Sequence, residues 1–137
     1  MADLQRFLTA QQDSFDTACR ELAAGRKQSH WMWFIFPQLA ALGRSSTAKY
    51  YGLADLAEAQ AYWQHPVLGA RLKQLLQILA EQKEDSAHAI FGSPDDLKLC
   101  SCLTLFERAA PQEPLFGAAL ERFCQGRRDP LTLDLLS

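Results

Sequence analysis

From Leu4 to Leu22 the apolar residues Leu4, Phe7, Leu8, Phe15, Ala18, Cys19 and Leu22 recur at helical spacings, with polar and charged residues between them. That period lines them along one stripe of an α-helix and excludes a half-buried strand, in which they would alternate. Gly25 follows where a helix end accepts a left-handed residue. Thr47 to Gln64, rich in Ala, Leu, Glu and Tyr, favours helix with a break near Gly52 to Asp55. Pro66 suits the first turn of the next helix, VLGARLKQLLQILAEQ. After a polar connector, KEDSAH, Ser93 stands as a cap, Pro94 at the first helical position and Asp95 and Asp96 in the first turn, so a helix is expected from there to about Ala109. LFGAALERFCQG reads as an amphipathic helix ended at Gly126, and DPLTLDLL as a short terminal helix from near Asp129. No part of the chain alternates with period two over several segments. The expected fold is all-α, a compact single domain over 1–137 with six to eight helices in an orthogonal or irregular bundle.

Composition agrees with a packed domain. The 137 residues are 48% hydrophobic and 22% charged, enough apolar material for a core. The net charge of -2 argues against nucleic acid as the main partner, because phosphate neutralisation calls for a basic balance. The longest apolar block, Trp31 to Leu42, is interrupted by Pro37 and Gln38 and falls short of the roughly 20 residues that span a bilayer. The start, MADLQRFL, carries an acid and no long apolar run, so neither a signal peptide nor a membrane partner is expected and the chain reads as cytoplasmic. Cys19, Cys100, Cys102 and Cys124 form no Cys-x-x-Cys pair, and three of them lie in apolar helical patterns, so reduced, mostly buried thiols are expected.

Residues able to do chemistry concentrate between Gly25 and Ser46. Arg26, Lys27 and His30 lead into the aromatic block WMWFIF, and Pro37 separates it from Gly43, Arg44, Ser45 and Ser46. From Leu22 to Ala54 there is no Asp or Glu, so Arg26, Lys27, Arg44 and Lys49 lack acidic neighbours in sequence. That pattern suits an anionic ligand. Aromatic residues at this density are also core formers, which is the plainer account of Trp31, Phe34 and Phe36. A second feature lies on the helix after Ser93. Leu97, Leu99, Cys100, Cys102, Leu103 and Phe106 surround most of its circumference, marking it as buried, while Lys98, Ser101, Thr104 and Arg108 share one side. These polar groups need partners. They find them either in a ligand or, more plainly, in Asp95 for Lys98 and in backbone carbonyls for Ser101 and Thr104.

Four blocks, SHWMWFIFPQL, LGRSSTA, HPVLGARL and IFGSPDDLKLCSCLTLF, resemble in wording and order the motifs of a bacterial family labelled domain of unknown function eighteen-ten, whose members often carry the label calpastatin. The resemblance covers almost the whole chain. It implies a compact, mostly helical single domain, with residues 31–36 as helix or turn, which composition alone leaves open between strand and helix. It implies no catalytic residues. The calpastatin label conflicts with the composition, since such an inhibitor is extended and disorder-prone whereas this chain is apolar, aromatic and helix-patterned.

The sequence holds no Gly-x-Ser-x-Gly, His-Glu-x-x-His, phosphate loop or dinucleotide fingerprint, so no cofactor is implied and no reaction is assigned. His30, His65 and His88 are scattered and no metal-ligand spacing is present, so no metal is expected. His65, before Pro66, suits helix capping or the surface.

Three readings compete for the basic aromatic stretch. The first is a pocket for a small anionic, nucleotide-like or phosphorylated ligand. In it Arg26, Lys27, Arg44 and Lys98 supply charge, Trp31 or Trp33 a stacking surface, and Ser45 and Ser46 donors. His30 would be a general acid or base, and Gln38, Ser101 and Thr104 polar contacts. The second is a protein-interaction module centred on an exposed Trp33, with no partner specified. The third, nucleic-acid binding, is the weakest on charge. The pocket reading makes a geometric demand: Lys98, Ser101 or Thr104 must lie near His30, Trp33 or Gln38.

Overall fold

A computed structural model describes residues 3–136. Among these residues the chain forms ten α-helices and one 3-10 turn. They are α1 (Gln5–Gln12), α2 (Phe15–Ala23), α3 (Met32–Ile35), the 3-10 turn (Ala40–Leu42), α4 (Ser46–Tyr50), α5 (Leu56–Gln64), α6 (Leu68–Ala80), α7 (Ala87–Phe91), α8 (Asp95–Ala109), α9 (Pro114–Phe123) and α10 (Pro130–Leu136). The fold class is all-α, with more helices than the period suggested because several are single turns.

The first amphipathic stretch divides at Asp13 and Ser14, residue types that compete with helix interiors. Gly25 follows α2 at φ 78, the left-handed ending its position suggested. Residues 32–35 form one turn of buried helix. Within the connector KEDSAH, Ser86 accepts a hydrogen bond from the Ala89 amide and starts α7, a helix too short to show a period. Ser93 does not cap α8. The helix begins one residue beyond Pro94, with Asp95 and Asp96 in its first turn. His65 does cap: its Nδ1 accepts from the Val67 and Leu68 amides at the start of α6.

A continuous hydrophobic cluster joins α1, α2, α3 and α5 to α9. Helix α8 lies at its centre, against α5, α7, α9 and α10, with Leu99, Cys102, Leu103, Leu105 and Phe106 fully buried. Burying each large apolar side chain contributes about 1.5–3 kcal/mol. Trp31, Phe34 and Phe36 are core residues, as the plainer reading held. Two side-chain networks join the outer helices to this cluster. Buried Gln11 donates from Nε2 to the Phe34 carbonyl (2.7 Å) and the Tyr62 hydroxyl (2.9 Å), and its Oε1 accepts from Arg71. Glu21 holds the loop before α3: one oxygen accepts from the Gln28 and Ser29 amides and the Trp31 indole, the other from the Ser29 hydroxyl.

Two closures shape the loop after Pro37. The Leu53 amide donates to the Gln38 carbonyl (2.9 Å) and the Ala40 amide to the Leu53 carbonyl (2.8 Å), an isolated parallel bridge. Beside it, a Cβ on Gly52 would come within 2.2 Å of the Ala40 Cα, so only glycine admits this approach.

The cysteines depart from expectation. Cys100 on α8 and Cys124 just after α9 are joined in a disulfide, with Cα atoms 6.0 Å apart. They stand 24 positions apart in sequence, and helix packing, which spacing does not reveal, brings them together. Cys19 and Cys102 are free thiols, and burial pushes both above the usual thiol range, Cys102 far above it.

Glu21 generates a pH prediction. Its partial burial raises the carboxyl pKa, but the four donors outweigh it and hold the group down at about 2, against 4.5 unperturbed. The clamp therefore contributes fully above pH 4.5 and is lost as pH falls from there towards 2. In urea unfolding, Glu21→Gln is expected to cost about 2 kcal/mol at pH 7 and progressively less towards pH 3. An equal cost at both pH values would show that the ionised carboxylate is not what holds the loop.

Candidate functional site

The loops beside α8 enclose a cleft of about 1330 Å³. Ser45 caps α4 by accepting from the Ala48 amide (3.0 Å), which fixes the Leu42–Ser45 wall. Trp33 and Gln38 come from α3 and the bridged loop, Lys98 and Ser101 from the polar side of α8, and Arg127 to Leu131 from the segment leading into α10.

Of the residues singled out in the sequence, Trp33, Gln38, Arg44, Ser45, Lys98 and Ser101 line this one cleft. The geometric demand is met in its lining, where the Lys98 ammonium lies 5.2 Å from the centroid of the Trp33 ring. That ring supports the lysine rather than offering this face for stacking. Lys98 also lies 3.5 Å from one oxygen of Asp95, whose other oxygen holds Lys27 at 2.9 Å. One carboxylate thus serves two ammonium groups, in a cleft whose lining also holds Glu84 and Asp96. Lys27 is the better satisfied of the two: its side chain is 8% exposed, it donates to the Ser29 carbonyl (2.6 Å), and it lies over Trp31. Lys98 is the cation left facing the cleft.

Five singled-out residues lie outside the lining: Arg26, Lys27, His30, Ser46 and Thr104. Arg26, His30 and Ser46 are exposed elsewhere. Lys27 meets an acid that is distant in sequence, so an acid-free stretch of chain is not an acid-free surface. Thr104 is fully buried, its hydroxyl donating to the Cys100 carbonyl (2.8 Å) and accepting from the Asp129 amide (2.9 Å).

Two further arginines in the lining are already used. Arg122 donates to the Leu79, Ala80 and Gln82 carbonyls and pairs with Asp85 (2.7 Å), so it covers the C-terminal end of α6. Arg128 forms a two-toothed pair with Glu107, and that bond holds the Glu107 carboxyl below its usual range and the guanidinium above its own. Arg44 and Arg127 are exposed and have no ion-pair partner among the described residues. Arg127 escaped sequence reading. The run Arg127–Arg128 after Gly126 was its only signal. His88, for which the sequence named no partner, lies 3.3 Å from Asp96 at the cleft edge. Among the described residues no group of three or more His, Cys, Asp and Glu could hold a metal ion, and no helix is long and apolar enough to cross a membrane.

Comparison with known proteins gives a family and a structural relative without a stated activity. The family described as Protein of unknown function (DUF1810) matches residues 1–136. A solved structure, the conserved hypothetical protein Rv1873 from Mycobacterium tuberculosis, is 48% identical, with 98% of this chain and 96% of that one covered and a TM-score of 0.95. No curated protein matches the chain.

The wall between α8 and α10 depends on Asp129. Its Oδ2 accepts from the Ser101 hydroxyl (3.0 Å), the Thr132 hydroxyl (2.5 Å) and the Thr132 amide (3.2 Å), while its own amide donates to Thr104. The carboxylate caps α10 and ties it to α8 in one group. Asp129→Ala is expected to cost about 1–2 kcal/mol and to speed amide exchange in α10 while α5 and α6 stay protected. Unchanged protection in α10 would show that apolar packing, not this carboxylate, holds the helix.

Proposed function

We propose, on the premise that the chain belongs to the DUF1810 family of proteins of unknown function, that the α8 cleft binds a small anionic, phosphorylated ligand. One observation carries the reading: Lys98 is held over Trp33 by a carboxylate that it must share with Lys27. A cation fixed in place and only partly neutralised inside a concavity favours an anion. Arg44 and Arg127 add charge on separate loops. The apolar remainder of the lining, including Leu42, Leu97 and Leu131, suits a ligand that joins its anionic group to a flat or apolar body. Arg26, Lys27, His30, Ser46 and Thr104 leave the proposed site, and Arg127 enters it. No reaction is proposed.

A second reading has its own observation. Leu97 and Leu131, 66% and 62% exposed, stand in the cleft wall and would suit an apolar protein partner. Half-buried Trp33, lining a concavity rather than projecting from the surface, favours the small ligand.

Thermal unfolding with inorganic phosphate, nucleoside monophosphates and sugar phosphates is expected to show stabilisation by at least one of them. Lys98→Ala and Arg44→Ala are each expected to weaken that ligand roughly tenfold or more. Arg26→Ala, outside the cleft, should leave it within about twofold. No stabilisation by any anion, together with binding lost on Leu97→Asp to a protein captured by the parent chain, would transfer the cleft to the second reading.

A further inference from the structure

We infer that the Cys100–Cys124 pair is a reversible thiol-disulfide site, opened by a dithiol reductant, whose state decides how firmly the cleft wall from Cys124 to Arg127 is held. Both cysteines line the cleft. Cys100 lies on α8 between Lys98 and Ser101 and is only half-buried, so the cleft is the side from which a thiolate would approach it. The remaining cysteines offer no exchange partner there. Cys102 is fully buried in the core, and Cys19 stands on α2, outside the lining.

The chemistry needs only the reductant. A thiolate of the dithiol attacks Cys100 Sγ, the Cys100–Cys124 bond breaks, and Cys124 leaves as a thiolate that takes a proton. The second thiol of the reductant then attacks the mixed disulfide, releasing Cys100 and closing the reductant's own disulfide. Two electrons and two protons pass to the protein. A disulfide-forming oxidant reverses the step.

The consequence follows from how unevenly the wall is fastened. Beyond Arg127, the segment is tied to α8 by the Arg128 pair with Glu107 and by Asp129 on Ser101 and Thr104. From Cys124 to Arg127 the backbone bonds are local, the Cys124 and Gly126 amides returning to Leu120 and the Arg127 amide to Cys124. The disulfide joins this stretch to α8 covalently; the other tie is the Gly126 carbonyl, which accepts from Arg128 where Glu107 holds it. Within it Gln125, at φ 57, ends α9 in a left-handed turn closed by the Gly126 amide on the Leu120 carbonyl. Arg127, at the end of the stretch, is one of the cleft's unpaired cations. The effect on a ligand therefore rests on the anion-binding reading, whereas the sulfur chemistry does not.

Full-length protein, oxidised with diamide or reduced with dithiothreitol, provides the test. Native iodoacetamide labelling with peptide mapping should modify Cys100 and Cys124 only after reduction. Amide exchange over 124–127 should rise about tenfold on reduction, return on reoxidation, and stay unchanged over 129–132. Cys100→Ser should behave as the reduced protein in either condition. Equal labelling before and after reduction, or exchange over 124–127 that neither reduction nor Cys100→Ser alters, overturns the proposal. Inorganic phosphate serves as a separate probe, expected to bind several-fold more weakly to reduced protein. Equal phosphate affinity in both states overturns the coupling to the ligand. Absence of phosphate binding in both states overturns the anion reading instead, and the labelling and exchange results still decide the sulfur site.

Discussion

The structure depends on the burial of the middle of α8, where Leu99 and Cys102 to Phe106 are fully covered. A helix apolar on most of its circumference cannot rest on one partner, and the other helices surround it because solvent contact would cost several kcal/mol. A narrow polar edge remains; its Arg108 is exposed, and the other three residues have partners in the fold. Thr104 and Ser101 receive the start of α10 through Asp129, and Lys98 receives Asp95 and the Trp33 ring. The cleft opens along this edge, the one side of α8 that the core cannot cover without stranding polar groups.

Electrostatics then sort the basic residues by reach rather than by sequence. Lys27, Arg122 and Arg128 are drawn into structural roles because acids or helix-end carbonyls lie within bonding distance. Arg44 and Arg127 sit on loops whose backbones are held by a cap and by the disulfide, which places them at the cleft without giving them a partner. The cleft's charge is what the fold's own pairing leaves over.

Much of the fold was legible because its signals are local. The period from Leu4 to Leu22, Gly25 at a helix end, His65 before Pro66 and Asp129 before a helix each state their physics within a few residues. The family resemblance resolved residues 31–36, where aromatic composition favours strand and helix alike. The single-turn helices α4 and α7 show no period, and α8 starts at Asp95 with Pro94 at its cap, one residue beyond Ser93. The site was half legible. Trp33, Gln38, Arg44, Ser45, Lys98 and Ser101 were named from sequence and line one cleft. Lys27 and Thr104 were not separable from them, because Asp95 sharing, Asp129 anchoring and the Cys100–Cys124 bond are products of packing between distant segments. Glu21 carried no signal at all, being one acid on an amphipathic helix until the loop folds over it.

The contact between Gly52 and Ala40 bears on selectivity. With the Leu39–Leu53 bridge beside it, it fastens the backbone next to Gln38 at a point where position 52 admits no methyl group. A wall already ordered by folding loses little conformational freedom when something binds, and it cannot remould itself around a poor fit. Discrimination on that side would therefore act by exclusion of shapes, and a larger residue at position 40 or 52 would alter which molecules enter by moving the wall itself.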